Sequence, residues 1–373
     1  MNILILSTDD GYAISIMMCL SKLKMKIYTM SVDNSHHVKE SKYCSGYIIY
    51  DKNDLLKEND IIIDKINDYC KRQKIDVIIP SGIESTIFIS KVRNRIISET
   101  EIFPVANWET LKLLNNKWSF LELMKDNGIS CPRTMLITEL CQIKSLDIEF
   151  PIMIKQLELD ASRSVVKLNS FEELEMYLSK RNENNFNALP LLIQEYIPGI
   201  DMGINILAKN GKIIAYNMHK YYPNGVSRNV TEFLKDDNVL NIGRQIVCCC
   251  NFTGVANIDL RFDDRDKSIK VIECNPRFWG MLYASMFTGI NFPYLGILIA
   301  QNKELPKDMN YKCVRYVLPS RLVYESIKKI SLEDFTKENL YFIWQIIDDP
   351  LLYVHILIKL RSLFIKKDNL KLL

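Results

Sequence analysis

The chain has 373 residues, of which 48% are apolar and 25% are charged. This composition is typical of globular proteins and excludes disordered and collagen-like chains, and the length predicts more than one domain. The formal net charge is only +3, so we expect no nucleic-acid partner, because that function needs a strongly basic surface.

The cysteine content and the N-terminus indicate the compartment. Ten cysteines are too few for a disulfide scaffold and show no C-x-x-C pair, which predicts reduced thiols in a cytoplasmic protein. The first residues lack the basic region of a secretory signal. No apolar stretch approaches the roughly 20 residues that a membrane-spanning helix needs.

The first hundred residues alternate strand and helix signals, which predicts parallel βαβ units. Ligands of such sheets bind at the carboxyl ends of the strands, which indicates residues 8–11 and 81–84. The first turn has no G-x-G-x-x-G pattern, so we do not expect a dinucleotide site. The alternative, that both segments are ordinary polar turns, stays equally open.

The pattern changes along the rest of the chain. Apolar spacing predicts one helix over residues 105–127, and strands and hairpins follow from residue 151. One of these predicted strands covers residues 212–218. Residues 310–373 are predicted to be helical, with an apolar stripe over residues 351–364 and a basic end. We expect this stripe to pack on the rest of the protein or on a second subunit rather than on a membrane surface.

Two carboxylates fall on consecutive predicted strands of a hairpin, at Asp259 and Glu273. Asn275 follows on the same strand face as Glu273, and Arg277 lies two residues further. Two carboxylates and an amide oxygen suit Mg²⁺, and an arginine beside them suits phosphate or carboxylate oxygens. An exposed hairpin with ordinary charges is the alternative, but the residues around both acids are apolar.

The segment ECNPR at residues 273–277 resembles the E-x-N-P-R signature of ATP-grasp enzymes, in the branch of the carbamoyl-phosphate synthase large subunit. Four further segments resemble motifs of this family and come in the family's order: NK with GISCP at residues 116–132, PIMIK at 151–155, QEYIPGID at 194–201 and GVANID at 254–259. The resemblance covers roughly residues 1–300. Any one of these motifs is weak evidence, whereas five in order are strong.

The resemblance implies how ATP is bound. Lys117 and Lys155 would contact the α- and β-phosphates, although a lysine taken alone is usually solvated. The backbone of Glu195, Tyr196 and Ile197 would pair with the adenine edge.

The ribose and the phosphate-binding loop are where the chain departs from the family. Asp201 would bind the ribose hydroxyls, although a longer glutamate is more usual there. The family's loop is glycine-rich, whereas residues 160–165 read DASRSV. Arg163 keeps the family's charge and Ser162 a hydroxyl for the phosphates, but both glycines are absent. This departure puts the closing of the loop in doubt more than ATP binding itself.

By resemblance, the reaction is the ADP-forming ligation of a carboxylic acid to an amine or ammonia through an acyl phosphate. Mg²⁺ or Mn²⁺ held by Asp259, Glu273 and Asn275 and a catalytic Arg277 fit that chemistry. His219, Lys220 and Arg228 are further candidates for the γ-phosphate and the substrate carboxylate, and His219 ranks below the two cations because a lone histidine is more often structural. A carboxylating or carboxylate-phosphorylating enzyme with another acceptor, or a catalytically weak nucleotide-binding protein, remains an alternative.

The fold class expected is α/β and α+β. The expected domains are a Rossmann-like domain, a first ATP-grasp lobe with a linker helix, a second lobe with the Mg·ATP site, and a helical extension, over residues 1–105, 106–185, 186–305 and 306–373. The expected partners are small-molecule carboxylate and amine substrates, with a homodimer as a further possibility. Membrane contact is expected only if the C-terminal helix provides it.

Overall fold

The computed structural model describes residues 1–32, 38–157, 165–183, 189–221, 230–307, 311–317 and 347–352. Three sheets and ten α-helices in these ranges make up the architecture. Short 3₁₀ turns add Val38–Glu40, Arg93–Arg95, Leu140–Ser145 and Met286–Thr288.

The first sheet is parallel and has five strands in the order β3-β2-β1-β4-β5. These strands are β1 (Asn2–Leu6), β2 (Lys26–Val32), β3 (Cys44–Tyr50), β4 (Val77–Pro80) and β5 (Glu101–Ile102). Its helices are α1 (Asp10–Leu20), α2 (Lys52–Leu56), α3 (Asp60–Gln73) and α4 (Ile83–Val92). Alternate residues of β1 enter two different cores, because helices cover both faces of the sheet. The predicted βαβ architecture is confirmed.

Two helices occupy the segment for which one was predicted. They are α5 (Trp108–Asn115) and α6 (Lys117–Asp126). Asn116 separates them because its backbone is extended, at φ −83° and ψ 116°, and its side chain accepts a hydrogen bond from the N–H of Ser119. Asparagine favours this capping conformation over the helix interior. Lys117 therefore lies at the first position of α6.

A four-stranded antiparallel sheet follows, in the order β6-β9-β7-β8. Its strands are β6 (Thr134–Ile137), β7 (Ile152–Gln156), β8 (Val166–Leu168) and β9 (Leu191–Glu195), and α7 (Phe171–Glu183) packs against it through Leu174 and Leu178. Strand β9 lies beyond residue 185, where the first lobe was expected to end, yet it pairs with β6 and β7.

The third sheet is antiparallel, with the order β14-β13-β10-β11-β12-β15. Its strands are β10 (Gly199–Lys209), β11 (Lys212–Tyr221), β12 (Val230–Leu234), β13 (Gly254–Asp263), β14 (Ile269–Asn275) and β15 (Arg315–Val317). Helix α8 (Asp237–Cys249) covers one face. The predicted helix is wrong for β15, because these residues complete the edge of the sheet by pairing with β12.

The first and third sheets are joined by shared packing. Helices α9 (Leu282–Ser285) and α10 (Phe292–Ala300) contact α1, and Phe278 and Phe292 enter the same core as Ile3 and Ile5. Within the described ranges, no single helix is long and apolar enough to cross a membrane, and only the bent pair Leu282–Thr288 and Phe292–Ala300 reaches that length and composition.

Residues 347–352 contact the first sheet. The carboxylate of Asp349 is 3% exposed and accepts hydrogen bonds from the Ser41 hydroxyl and the Lys42 backbone N–H, just before β3. Leu352 is also buried. The rest of the predicted tail helix lies outside the described residues.

Candidate active site

A cavity of about 910 Å³ opens where the three sheets meet. This volume is that of a typical small-molecule site. Its polar and aromatic lining comes from all three sheets and from the helices next to them: Thr8, Asp9, Tyr12, Lys52, Glu84, Lys117, Lys155, Gln194, Glu195, Tyr196, Asp201, His219, Tyr221, Asn257, Asp259, Arg261, Glu273, Asn275, Arg277 and Trp279.

The two carboxylates at the centre are neighbours across adjacent strands. Asp259 on β13 lies opposite Glu273 on β14, and Gly203 on β10 lies on the other side of Asp259. Side chains of one strand alternate between the two faces of the sheet. The face that carries Asp259 therefore looks into the cavity, while Ile258 and Leu260 enter the core behind it.

The amide of Asn275 lies between these carboxylates. Its Nδ2 is 3.5 Å from Oδ2 of Asp259 and 3.4 Å from Oε1 of Glu273. Its Oδ1 accepts a hydrogen bond of 3.3 Å from Nη2 of Arg277.

Arg277 is held in place from two further sides. It is 9% exposed, its Nη1 donates to the carbonyl oxygen of Phe278 at 2.9 Å, and its guanidinium lies 4.9 Å from the centre of the Tyr12 ring. A guanidinium fixed in this way presents its donors in a constant orientation, which suits a phosphate or a carboxylate.

Two lysines approach the carboxylates from the opposite wall. Nζ of Lys117 is 3.7 Å from Oε2 of Glu273. Lys155, at the inner end of β7, is 6% exposed, and burial lowers its pKa from 10.5 to about 8, although the nearby charge of Glu273 opposes this shift.

The charges of both lysines also act on Glu273. Burial by itself would raise the pKa of Glu273, but the lysine charges at Lys117 and Lys155 outweigh it, so that the pKa lies below its usual value. The carboxylate is therefore ionised at neutral pH and available to a cation.

The connection from β9 to β10 forms the outer end of the cavity. Glu195, Tyr196 and Ile197 follow one another here, and the Tyr196 ring lies 3.8 Å from Nζ of Lys167. Gly199 has φ +137°, and a Cβ at this position would lie 2.0 Å from the carbonyl oxygen of Phe262. Only glycine allows so close an approach. Asp201, on the next strand, forms an ion pair with Arg261.

Comparison with known proteins identifies this arrangement. Residues 187–317 match the family model described as ATP-grasp in the biosynthetic pathway with Ter operon. The match contains β9 to β15 and both carboxylates. The chain contains an ATP-grasp domain.

Relatives of the chain include one protein named as a ligase and one named as a synthase. D-aspartate ligase from Enterococcus faecium is 22% identical over 253 residues, 60% of this chain and 58% of that protein. The carbamoyl phosphate synthase large chain from Thermoanaerobacter pseudethanolicus is 23% identical over 268 residues, 67% of this chain and 24% of that protein. The chain thus spans less than two thirds of the length of either relative.

A solved structure shows the same fold. The biotin carboxylase domain of the Hydrogenobacter thermophilus 2-oxoglutarate carboxylase, determined with MgADP and bicarbonate, superimposes with a TM-score of 0.64 at 17% identity. The match covers 83% of this chain and 72% of that chain.

The donor set of the ATP-grasp site fits a magnesium ion. Among the described residues there is no group of three or more His, Cys, Asp or Glu that could hold a metal. The site offers two carboxylates, Asp259 and Glu273, and the amide of Asn275. Mg²⁺ commonly binds one or two protein carboxylates and takes its other ligands from water and substrate phosphates. The residues present therefore suit Mg²⁺ with a nucleotide better than a metal held by the protein alone.

The structure brings most of the predicted site residues to one cavity. Those that line it are Lys117, Lys155, Glu195, Tyr196, Ile197, Asp201, Asp259, Glu273, Asn275 and Arg277. Ser162, Arg163 and Arg228 lie outside the described residues.

Lys220 is described, but it does not line the cavity. Its neighbours His219 and Tyr221 do, since adjacent residues of β11 face opposite sides of the sheet. Nζ of Lys220 instead lies 3.2 Å from the carboxylate of Glu232 on β12.

The N-terminal wall contains residues that motif reasoning did not name. Tyr12 and Lys52 line the cavity, and Nζ of Lys52 is 2.6 Å from the carboxylate of Glu84. The expectation that ligands bind at the carboxyl ends of parallel strands indicated the segments that contain Asp9 and Glu84, but it gave no role to either residue. Lys52 begins α2 after a peripheral strand, and no local signal in the sequence associates it with the site.

Proposed function

We propose that the chain is an ADP-forming ATP-grasp ligase that joins a carboxylic acid to an amine or ammonia. The observation that supports this most strongly is the single cavity in which two lysines, two carboxylates and a fixed arginine converge. Phosphoryl transfer needs mainly positioning and charge stabilisation, and this set of groups supplies both. The name of one relative, D-aspartate ligase, agrees with it.

The outer end of the cavity would hold the nucleotide. Backbone groups of Glu195 and Ile197 would pair with adenine, with Tyr196 between them, and Asp201 would accept hydrogen bonds from the ribose. The α- and β-phosphates would lie beside Lys117 and Lys155, and Ser162 and Arg163 remain candidates for the same phosphates.

In the first step, a carboxylate oxygen of the acid attacks the γ-phosphorus of ATP. The bond from this phosphorus to the β–γ bridging oxygen breaks, ADP leaves with both bonding electrons, and an acyl phosphate forms. Lys117 and Lys155 balance the negative charge that develops on the phosphate oxygens. Asp259, Glu273 and Asn275 would hold Mg²⁺, which neutralises phosphate charge when bound.

In the second step, the amine attacks the carbonyl carbon of the acyl phosphate. Phosphate leaves with the former carboxylate oxygen, and the nitrogen loses a proton, which gives the amide. Arg277 would stabilise the oxygen charge of the tetrahedral species, because its guanidinium is fixed before the substrate arrives. We keep Lys220 and Arg228 as proposals for substrate binding, although the ion pair of Lys220 with Glu232 weakens the first.

The acid and the amine would bind towards the N-terminal wall. Asp9 and Glu84 offer negative charge there, and Lys52 offers positive charge. The ten cysteines are all free thiols, which supports our proposal of a cytoplasmic enzyme. A homodimer remains part of the proposal.

An isotope experiment tests the order of the two steps. The protein is incubated with ATP, a panel of amines and carboxylic acids labelled with ¹⁸O in the carboxylate, and the released phosphate is analysed by mass spectrometry. One labelled oxygen should appear in inorganic phosphate. Label in AMP would mean adenylation and would contradict the proposal.

The same panel separates the alternatives. Incorporation of labelled bicarbonate without amide formation would indicate a carboxylating enzyme. ADP binding without turnover of any pair would indicate a nucleotide-binding protein that has lost catalysis.

A further inference from the structure

Four asparagines form one row across the third sheet, beneath the carboxylates. Asn205 on β10 lies opposite Asn217 on β11 and Asn257 on β13, and Asn257 lies opposite Asn275 on β14. Asn205 and Asn217 are completely buried, and Asn257 is 9% exposed. Burying amides is costly unless their polar atoms are satisfied, so such a row requires an explanation.

The hydrogen bonds of the row all point in one direction. Each Nδ2 donates to the Oδ1 of the next amide: from Asn275 to Asn257 at 3.5 Å, from Asn257 to Asn205 at 3.1 Å, and from Asn205 to Asn217 at 2.8 Å. Nδ2 of Asn217 then donates to Oγ1 of Thr288 at 3.3 Å.

The two ends of the row determine this direction. At one end, the Thr288 hydroxyl donates its only proton to the carbonyl oxygen of Ser285 at 2.6 Å, so it must accept from Asn217. At the other end, Arg277, which can only donate, bonds to Oδ1 of Asn275. A row of hydrogen bonds that begins at a donor-only group and ends at an acceptor-only carbonyl allows only one orientation of each amide in it.

The arrangement decides which atom Asn275 presents to a ligand. Because its Nδ2 donates to the row and also lies beside the carboxylates of Asp259 and Glu273, its Oδ1 remains on the side of Arg277. In the reversed row, Oδ1 would accept from Asn257 and the NH₂ group would face Arg277. Two donors would then oppose each other, and an NH₂ group cannot bind a cation.

We infer that the row formed by Thr288, Asn217, Asn205 and Asn257 is a set of positioning residues that fix the amide of Asn275 so that its oxygen is available to a divalent cation. This inference rests on the proposed function, because it takes Asn275 as a metal ligand. Hydrogen bonds aligned in one direction polarise one another, so the row also strengthens the hold on Asn275. His219, whose Nδ1 lies 3.4 Å from Nδ2 of Asn205, packs beside the row.

The test removes the acceptor at the far end of the row. Thr288→Val has nearly the same shape but no hydroxyl, and Thr288→Ser keeps the hydroxyl as the matched control. The affinity for Mn²⁺ in the presence of ADP is measured by electron paramagnetic resonance of free Mn²⁺, which needs no turnover. Thr288→Val should weaken Mn²⁺ binding about tenfold, a typical cost for a group behind a metal ligand. Thr288→Ser should stay within about twofold of the unaltered protein.

A double-mutant cycle shows whether the effect passes through Asn275. In an Asn275→Ala background, Thr288→Val should change Mn²⁺ affinity by less than about twofold. An equal loss in both backgrounds, or an unchanged affinity in Thr288→Val, would overturn the inference. If Thr288→Val does not fold, Thr288→Ala removes the same acceptor with a smaller side chain and is judged by the same outcomes.

The cycle also separates the two proposals. If Asn275→Ala itself leaves Mn²⁺ affinity unchanged, the metal site of the proposed function is wrong, and the inference is overturned with it. If Asn275→Ala weakens binding but Thr288→Val does not, only the role of the row is refuted.

Discussion

Lys155, which we propose as a phosphate ligand, is buried at the expense of the stability of the folded state. Lys155 is only 6% exposed, so its ammonium group has lost most of its hydration, and its pKa of about 8 reflects that loss. A shift of this size from 10.5 corresponds to about 3 kcal/mol of destabilisation at neutral pH. Bound phosphates would return part of this free energy as affinity.

Replacing Lys155 with Met should therefore stabilise the protein and weaken nucleotide binding. We expect the free energy of unfolding at pH 7 to rise by about 1–3 kcal/mol, since Glu273 loses a partner and offsets part of the gain. The native lysine is charged below its folded pKa, so the gain should be full below pH 8 and should vanish as the pH rises towards 10.5. Denaturant unfolding at several pH values measures this, and a Lys155→Met protein that is less stable at pH 7 would contradict it.

Glu273 is the opposite case, a partly buried carboxylate kept ionised by two lysines. Glu273→Gln preserves the shape and removes the charge, so we expect ATP turnover to fall by about 10²-fold or more with little change in the melting temperature. Turnover measured across Mg²⁺ concentrations checks this. Near-normal turnover with an unchanged Mg²⁺ dependence would show that the metal assignment is wrong.

The arrangement of Asp259, Glu273 and Asn275 could be predicted because strand alternation is short-range information. The position of Lys220 could not, because the sequence pattern ended the predicted strand at Met218, whereas β11 continues to Tyr221. Residues 219–221 therefore belong to the strand, and the alternation of its side chains between the two faces of the sheet directs Lys220 away from the cavity. Strand length here is set by pairing with β12, which is a long-range contact.

Among the helices, α5 and α6 show how a cap positions a functional group. Asn107 and Asn116 cap them in the same way, with side-chain oxygens that accept from Thr110 N–H at 2.8 Å and from Ser119 N–H at 3.0 Å. Only the second cap is followed directly by a cavity lysine, Lys117.

The two caps provide a matched pair of variants. Asn107→Ala and Asn116→Ala should each lower the free energy of unfolding by about 1 kcal/mol. Only Asn116→Ala should also weaken ADP binding, because it loosens the turn that carries Lys117. Calorimetric titration with ADP and denaturant unfolding measure the two effects, and equal loss of ADP affinity in both variants would refute the link to Lys117.

Most elements were predictable because each carries its own periodicity. The exceptions depend on partners far along the chain. The break at Asn116 depends on a cap rather than on apolar spacing, and β15 is a strand because the edge of β12 is free to pair with it. Likewise, β9 belongs with β6 and β7 although a long segment separates it from them.

Across the whole chain, residues 347–352 connect the end of the described sequence to its beginning. Asp349 is buried against Ser41 and Lys42, whereas the neighbouring Asp348 is half exposed and pairs with the side chain of Lys42. A buried carboxylate that accepts hydrogen bonds from two groups contributes more to stability than an exposed ion pair.

Asp349→Ala should accordingly destabilise the protein by about 1–3 kcal/mol, and Asp348→Ala by less than about 1 kcal/mol. Deleting residues 350–373 should also lower the melting temperature, because it removes the buried Leu352. Thermal unfolding of the three variants measures this. Binding of the full chain to anionic vesicles, together with an unchanged melting temperature after the deletion, would instead support a membrane role for the tail.

The same contact has a consequence for synthesis on the ribosome. Ser41 and Asp349 are 308 positions apart, and at about 5–20 residues per second the partner of Ser41 emerges roughly 15–60 seconds later. The parallel sheet can form early. Until Asp349 is synthesised, however, the Ser41 hydroxyl and the Lys42 backbone N–H can form hydrogen bonds only with water. The domain that is translated first is thus completed only after residue 349 has been synthesised. A chain released before that point would leave the polar groups of Ser41 and Lys42 exposed to the cell's chaperones and proteases.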